Sequence, residues 1–355
     1  MLMCLSSHAR LRYKEDILRS MAMPKGEFLV FRYQLEWIPE GLRERLATNS
    51  FAKEDVGIAY LDPQSPGLEP VAVPCRLGTI VESRLSAGVI YIEICLGDFW
   101  IATDIDGFSR GLRSKAESFP RWRGTTLDGD FVHQIDVMPS VSSRSGDIAQ
   151  WQVAVTQLKA RIGFLEHPFF YHVIGIFKIR TKAPLRAKDG SVELLPYVTY
   201  EIRIACFIPG GSPDPFSGRA HPFWLHIESE DKTLSFATTT NLSIDSPYDE
   251  KIVRFRTSSV PATIDCALTI FSQRSPLDRP DRTKATLDFD LSTRTVANTR
   301  TLILQGLLIG AFLSIQGIYS IWINPQIADK LGSAVVLLVA GLIAGLIASF
   351  GLKKL

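Results

Sequence analysis

Two stretches near the C-terminus, Leu302–Ile323 and Ser333–Leu352, run for 22 and 20 residues without one charge. At a helical rise of 1.5 Å per residue they would reach roughly 33 and 30 Å, the thickness of a bilayer's hydrocarbon core. A surface helix of a soluble domain keeps a polar stripe; neither run has one. Between them stand Asn324, Pro325, Gln326, Asp329 and Lys330, a polar break suited to a tight turn at a membrane surface. Residues 298–355 are therefore read as a transmembrane helical hairpin with the lipid bilayer as its partner. The rival reading is a buried hairpin in a soluble oligomer.

Positive charge near the ends sets the orientation of short membrane segments. Arg294 and Arg300 precede the first run, and Lys353 and Lys354 follow the second. Both termini and everything before the hairpin are expected in the cytoplasm, on the inner face of a bacterial-type membrane if the source is prokaryotic. Tyr319 and Trp322 would anchor the far end at the interface. Small residues recur at four-residue spacing: Gly306 and Gly310, then Gly341, Gly345 and Ser349. Such residues let helix backbones approach closely in lipid. Gln305 and Gln316 lie three helical turns apart on one face, and a buried amide in lipid seeks a partner. These seven residues are the expected helix-packing positions, within one hairpin or in self-association between copies.

Removing the tail's three lysines from 39 basic residues and its one aspartate from 37 acidic ones leaves 36 of each sign in residues 1–300. That balance argues against a broad nucleic-acid surface. Cys4, Cys75, Cys95, Cys206 and Cys266 are odd in number and show no C-x-x-C spacing, so reduced cytosolic thiols fit better than a disulfide framework or zinc ribbon. The N-terminus lacks the 7–15 apolar residues of a signal-peptide core. Residues 1–24 carry no strong pattern and are read as an arm, disordered or forming a short basic helix, with Met21 or Met23 as alternative starts.

Before the tail the pattern is mainly β. Runs such as FLVFRYQLEWI, CRLGTIVESRL and VIYIEICLGDFWIATDI fill residues 25–145, the last two joined by a Ser86-Ala87-Gly88 turn. Ile148, Trp151, Val155, Leu158, Ile162 and Leu165 recur at spacings of three and four, a helical stripe within residues 146–166. Asp147 stands three before Gln150 as in a capping box. Seven further strand-like runs between 167 and 297 suggest an antiparallel sandwich. The expected fold class is two β-rich domains, a linking amphipathic helix and the two-helix hairpin.

The strongest binding segment is SRGLRSKAESFPRWRG, where Arg110, Arg113, Lys115, Arg121 and Arg123 face only Glu117 in the local sequence, with Phe119 and Trp122 interleaved. Guanidinium forks match phosphate, and aromatics stack on bases or sit at headgroups. Arg110, Arg113, Lys115, Arg121, Trp122 and Arg123 are taken as the ligand residues, for a lipid headgroup or a phosphorylated ligand. Pro213-Asp214 with Glu230-Asp231-Lys232 has the spacing of a PD-(D/E)xK nuclease motif, but both halves read as loops. His167, His172, His221 and His226, and the trio Asp98, Asp104 and Asp106, are weak metal sets. No P-loop or H-E-x-x-H motif occurs.

These observations describe a membrane-anchored, non-enzymatic binding or sensor protein, with no cofactor and an unidentified protein or nucleotide ligand. One alternative is a pore-type effector whose β domains sense a signal and whose hairpins assemble. A second is a membrane-tethered, metal-dependent hydrolase or nuclease.

Overall fold

The computed structural model describes residues 1–7, 11–136, 142–162, 169–181, 183–188, 190–209, 223–244, 246–258, 260, 262–273, 285, 287–297, 299–324 and 330–351. The chain is mainly β. Its first unit contains β1 (Leu2–Ser7), α1 (Leu11–Ala22), β2 (Phe28–Gln34), α2 (Glu40–Ala47), β3 (Asp55–Asp62), β4 (Val71–Ser86) and β5 (Val89–Ala102). It continues through α3 (Ile105–Arg113), β6 (Arg121–Arg123), β7 (Thr126–Asp128), β8 (Val132–Gln134) and β9 (Ser142–Ser145) to α4 (Ile148–Lys159). One sheet runs β2-β5-β4-β3-β1-β8, with β9 added to β5. The long β4–β5 hairpin turns at Ala87 and Gly88, whose φ values of 51° and 76° suit a tight two-residue turn.

The N-terminal residues are not a disordered arm. β1 lies inside the sheet, parallel to β3 and antiparallel to β8, and all six of its residues are buried. A strand covered on both faces shows no apolar–polar alternation, so its sequence carries no strand period. α1 then packs on β1–β4 and reaches across to the second unit.

α4 presents Trp151, Ala154, Val155 and Leu158 to the core and packs on β4 and β5. Asp147 caps it by accepting the Gln150 N–H at 2.7 Å. The Gln150 side chain does not close a capping box; its amide donates to the Phe99 and Ser143 carbonyls at 3.1 Å. Leu165 lies outside the described residues.

The second unit comprises β10 (Phe170–Lys178), β11 (Ala187–Lys188), β12 (Ser191–Leu194), β13 (Thr199–Phe207), β14 (Phe223–Glu228), β15 (Leu234–Phe236), β16 (Asn241–Ile244), β17 (Tyr248–Thr257), β18 (Ile264–Gln273) and β19 (Leu287–Thr295). Its sheets are ordered β10-β13-β17-β15 and β11-β12-β19-β18-β14-β16. Ile202 and Ile204 from one and Leu268 and Ile270 from the other are buried in a common core, giving a sandwich-like unit. β12 and β19 pair in parallel, so the unit is not purely antiparallel.

One continuous core spans both units, and the C-terminal turn of α1 is its joint. A helix end leaves carbonyls without intrahelical donors. Here Arg76, fully buried on β4, donates through Nη1 to the Ser20 and Met23 carbonyls at 2.5 and 2.6 Å, and through Nε to Gly97 at 3.0 Å. Its guanidinium lies 4.5 Å from the Phe99 ring centroid. The Trp151 indole donates to the Met21 carbonyl at 3.1 Å. From the other side, the Arg19 side chain donates to the Asp288 carbonyl at 2.8 Å and pairs with its carboxylate at 3.0 Å. His172 of β10 packs its ring against Phe99 and Trp151 at 5.0 and 5.7 Å. Burial, and then the charge of Arg76, pull His172 down to about 3. Burial likewise lowers Arg76 to about 9, still cationic at neutral pH.

The C-terminal element is a pair of helices, α5 (Thr299–Ile323) and α6 (Lys330–Gly351), packed closely on each other. By length and composition, Gly306–Ile323 of α5 is long and apolar enough to cross a membrane; the described apolar part of α6, Lys330–Gly345, is shorter.

Candidate functional site

The basic segment folds into the end of α3 and the small β6–β7 hairpin. Asp104 caps α3 by accepting the Gly107 N–H at 2.9 Å, while Phe108 and Leu112 bury its inner face. Phe119 then enters a second core, beside His133 at a ring distance of 6.0 Å. The resulting cleft, about 440 Å³, gathers Arg113, Arg121, Trp122 and Arg123 with Glu69, Glu117 and Asp128.

Those carboxylates correct the expectation that Glu117 is the segment's only acidic neighbour. Arg113 forms an ion pair with Glu69 and donates to the Pro70 carbonyl at 3.0 Å. Arg123 pairs with Asp128 at 3.0 Å, and Arg110 lies 3.9 Å from Asp104. Glu69, Asp104 and Asp128 come from outside the run, so folding neutralises much of what the local sequence leaves positive. Arg110 and Lys115 do not line the cleft, and Lys115 has a partner of its own. Arg121 and Arg123 are both exposed at the cleft's edge.

Trp122 also belongs to a second cavity. Alternation along β6 puts it on the opposite face from Arg121 and Arg123, and its indole donates to the Pro63 carbonyl at 2.6 Å. With Tyr13, Tyr33, Trp37 and Phe131 it lines a cavity of about 220 Å³. Tyr13 stacks on Tyr33 at 6.1 Å with rings 13° apart and meets Trp37 edge-on at 5.9 Å; Trp37 in turn meets Phe131 at 6.1 Å. Ser7, Thr125 and Thr126 contribute hydroxyls, and among the described residues none that is charged lines the space. The Tyr33 hydroxyl donates to the Leu5 carbonyl at 3.0 Å; burial, then nearby Cys4, drive its acidity far down. This cavity escapes sequence reading because its walls come from β1, α1, the end of β2, the following turn and the β6–β7 hairpin.

The other chemical sets do not converge. Asp98 pairs with Lys25 at 2.6 Å, Asp104 is spent on its cap, and Asp106 lies 3.8 Å from Arg161. Asp231 accepts the Cys266 thiol at 2.9 Å and the Thr233 N–H at 2.8 Å. Asp214, His167 and His221 lie outside the described residues. His226 is engaged by Asn241 and by Glu228 at 3.3 Å. Among the described residues no cluster of three or more His, Cys, Asp or Glu could hold a metal.

In the hairpin, Gly306 and Gly310 of α5 face Gly341 and Gly345 of α6. A methyl group on Gly310 would collide with the Gly341 carbonyl and come within 2.7 Å of the Leu342 Cα; one on Gly345 would strike the Gly306 carbonyl. Ser314 donates to the Gly310 carbonyl at 2.7 Å and lies 3.3 Å from the Leu337 carbonyl across the pair. These glycines thus set close backbone approach within one hairpin. Gln316 is on the exposed side of α5. The side chains of Gln305 and Ser349 lie outside the described residues.

No family model matches the chain, and no curated protein matches it in sequence. Solved structures similar to part of it include WR4, an MSP family member of Caenorhabditis elegans, at 9% identity, covering 30% of this chain and 92% of that one with a TM-score of 0.17. Another is SSP-19, an MSP-domain protein like family member of the same organism, at 16% identity, covering 30% and 94% with a TM-score of 0.19.

Proposed function

We propose that this protein is a membrane-anchored binding module: a β body that recognises a ligand, held at a bilayer by the α5–α6 hairpin. The observation that carries the reading is the hairpin's outer surface. Leu308, Phe312, Leu331 and Val336 are 63, 66, 71 and 69% exposed, and Ile315 and Ile343 join them. In water each such side chain forgoes roughly 1.5–3 kcal/mol relative to burial. Lipid removes that penalty, and the helical backbone satisfies its own hydrogen bonds.

Tyr319 and Trp322 are exposed in the last turns of α5, where interfacial aromatics belong. Arg294, Arg300, Lys353 and Lys354 favour both hairpin ends, and with them the β body, on the cytoplasmic side. Gln316 points outward among apolar neighbours, and a second hairpin copy would satisfy its amide, which supports self-association through α5.

Protease treatment of sealed inside-out and right-side-out membrane vesicles tests the placement. The β body should be digested only where the cytoplasmic face is outside. Digestion from the other side sinks the orientation.

A further inference from the structure

We propose that the aromatic cavity beneath the β6–β7 hairpin binds a neutral, planar heterocycle of the nucleobase type. The inference rests on the binding half of the function proposed above and not on the membrane half. Of the ten described residues that line the cavity, five are aromatic: Tyr13, Tyr33, Trp37, Trp122 and Phe131. Aromatic faces stack on bases, a contact tolerant of base identity.

The rings alone would also suit a quaternary ammonium. Two features favour a base instead. Among the described residues no carboxylate lines the space to balance a cation, and Thr125 and Thr126 bring hydroxyls that can donate to or accept from a heterocycle's edge. An alkylammonium offers them nothing. Size agrees: about 220 Å³ is below the roughly 300–1,000 Å³ of sites enclosing a drug-sized ligand. It admits one ring system and leaves any sugar or phosphate outside.

The placement of Trp122 gives the site a second property. The hairpin that walls the cavity carries Arg121 and Arg123 on its other face. Ring contact with Trp122 is thereby linked to the position of two cations.

The test is equilibrium dialysis of the full chain in detergent micelles against adenosine, guanosine, cytidine and uridine, their 5′-monophosphates, and choline. At least one base should bind, as nucleoside, nucleotide or both. Trp122→Ala and Tyr13→Ala should each weaken binding roughly fivefold or more, the loss of one stacking contact. Circular dichroism melts confirm that each variant is folded. Absence of binding by every nucleoside and nucleotide overturns the proposal. So does nucleobase binding indifferent to both substitutions in folded protein, or choline binding as tight as the best base. A chain that stays in the membrane but binds no base loses this site and keeps its anchor.

Discussion

The β body and the helical hairpin solve opposite problems. In the body, the difficulty is polar groups in an apolar interior, and side chains are assigned to meet it. Arg76, Trp151 and Arg19 engage backbone carbonyls where α1, the first sheet and the sandwich-like unit converge. In the hairpin the difficulty is apolar groups without cover. Its inner seam is built on glycines and Ser314, with Leu337 set against Gly317, while its outer face presents leucine, isoleucine, valine and phenylalanine. The contrast teaches that the body's integrity depends on a few specific donors, whereas the hairpin's depends on the solvent around it.

The sharpest way to break this contrast is Arg76→Leu. It leaves the Ser20, Met23 and Gly97 carbonyls without this donor, and each orphaned buried acceptor costs about 1–3 kcal/mol. A loss of roughly 3 kcal/mol or more is expected in denaturant titrations. Both β units should lose stability together, because the donor serves their joint; two separated transitions, with only the first shifted, would contradict the shared core.

Gly310→Leu should act on the other region alone. The added side chain meets the Gly341 carbonyl and Leu342, so the helices must separate. Crosslinking between cysteines placed at positions 314 and 337 should fall severalfold, with the melting temperature of the body unchanged. A shifted body transition would show that the two regions are coupled.

Much of the body was legible in the primary structure for identifiable reasons. β5 alternates along most of its length and follows β4 through a turn whose Gly88 tolerates positive φ. The stripe of α4 has helical spacing because one face is buried. β1 was not legible, since it is buried throughout and has no period. The basic segment was legible as composition and misleading as electrostatics: its counter-charges at Glu69, Asp104 and Asp128 arrive through the fold. The aromatic cavity had no local signal, because its rings are spread from Tyr13 to Phe131. The small-residue spacing of the hairpin was visible, while folding decided which glycine faces which.

A finer probe of the joint is pH. His172 and His133 are buried, with values pulled from 6.5 to about 3 and about 4, mainly by desolvation. The unfolded chain binds protons at these groups below pH 6.5 and the folded chain does not, so their contribution to stability falls as pH drops from 6.5 towards 4. Glu27 behaves oppositely. Burial raises it from 4.5 to about 8, so the folded state holds a proton that the unfolded state releases, and stability falls as pH rises from 4.5 to 8. Glu27→Gln should flatten that decline, stabilising the body at pH 8 relative to the native chain and changing little at pH 4.5. Equal effects at both pH values would mean that Glu27 is ionised in the fold.

The smallest effect belongs to the exposed Arg123–Asp128 pair. Asp128→Ala should cost at most about 1 kcal/mol and less in high salt. A larger loss in urea titrations would mark the β6–β7 hairpin as structural.

The most direct measurement is fractionation of cells expressing the full chain, with the membrane pellet washed in alkaline carbonate and then in detergent. Retention through carbonate and release only by detergent is the expected result for a hairpin seated in lipid. Recovery of the chain in the carbonate wash, or in the soluble fraction without detergent, would contradict it.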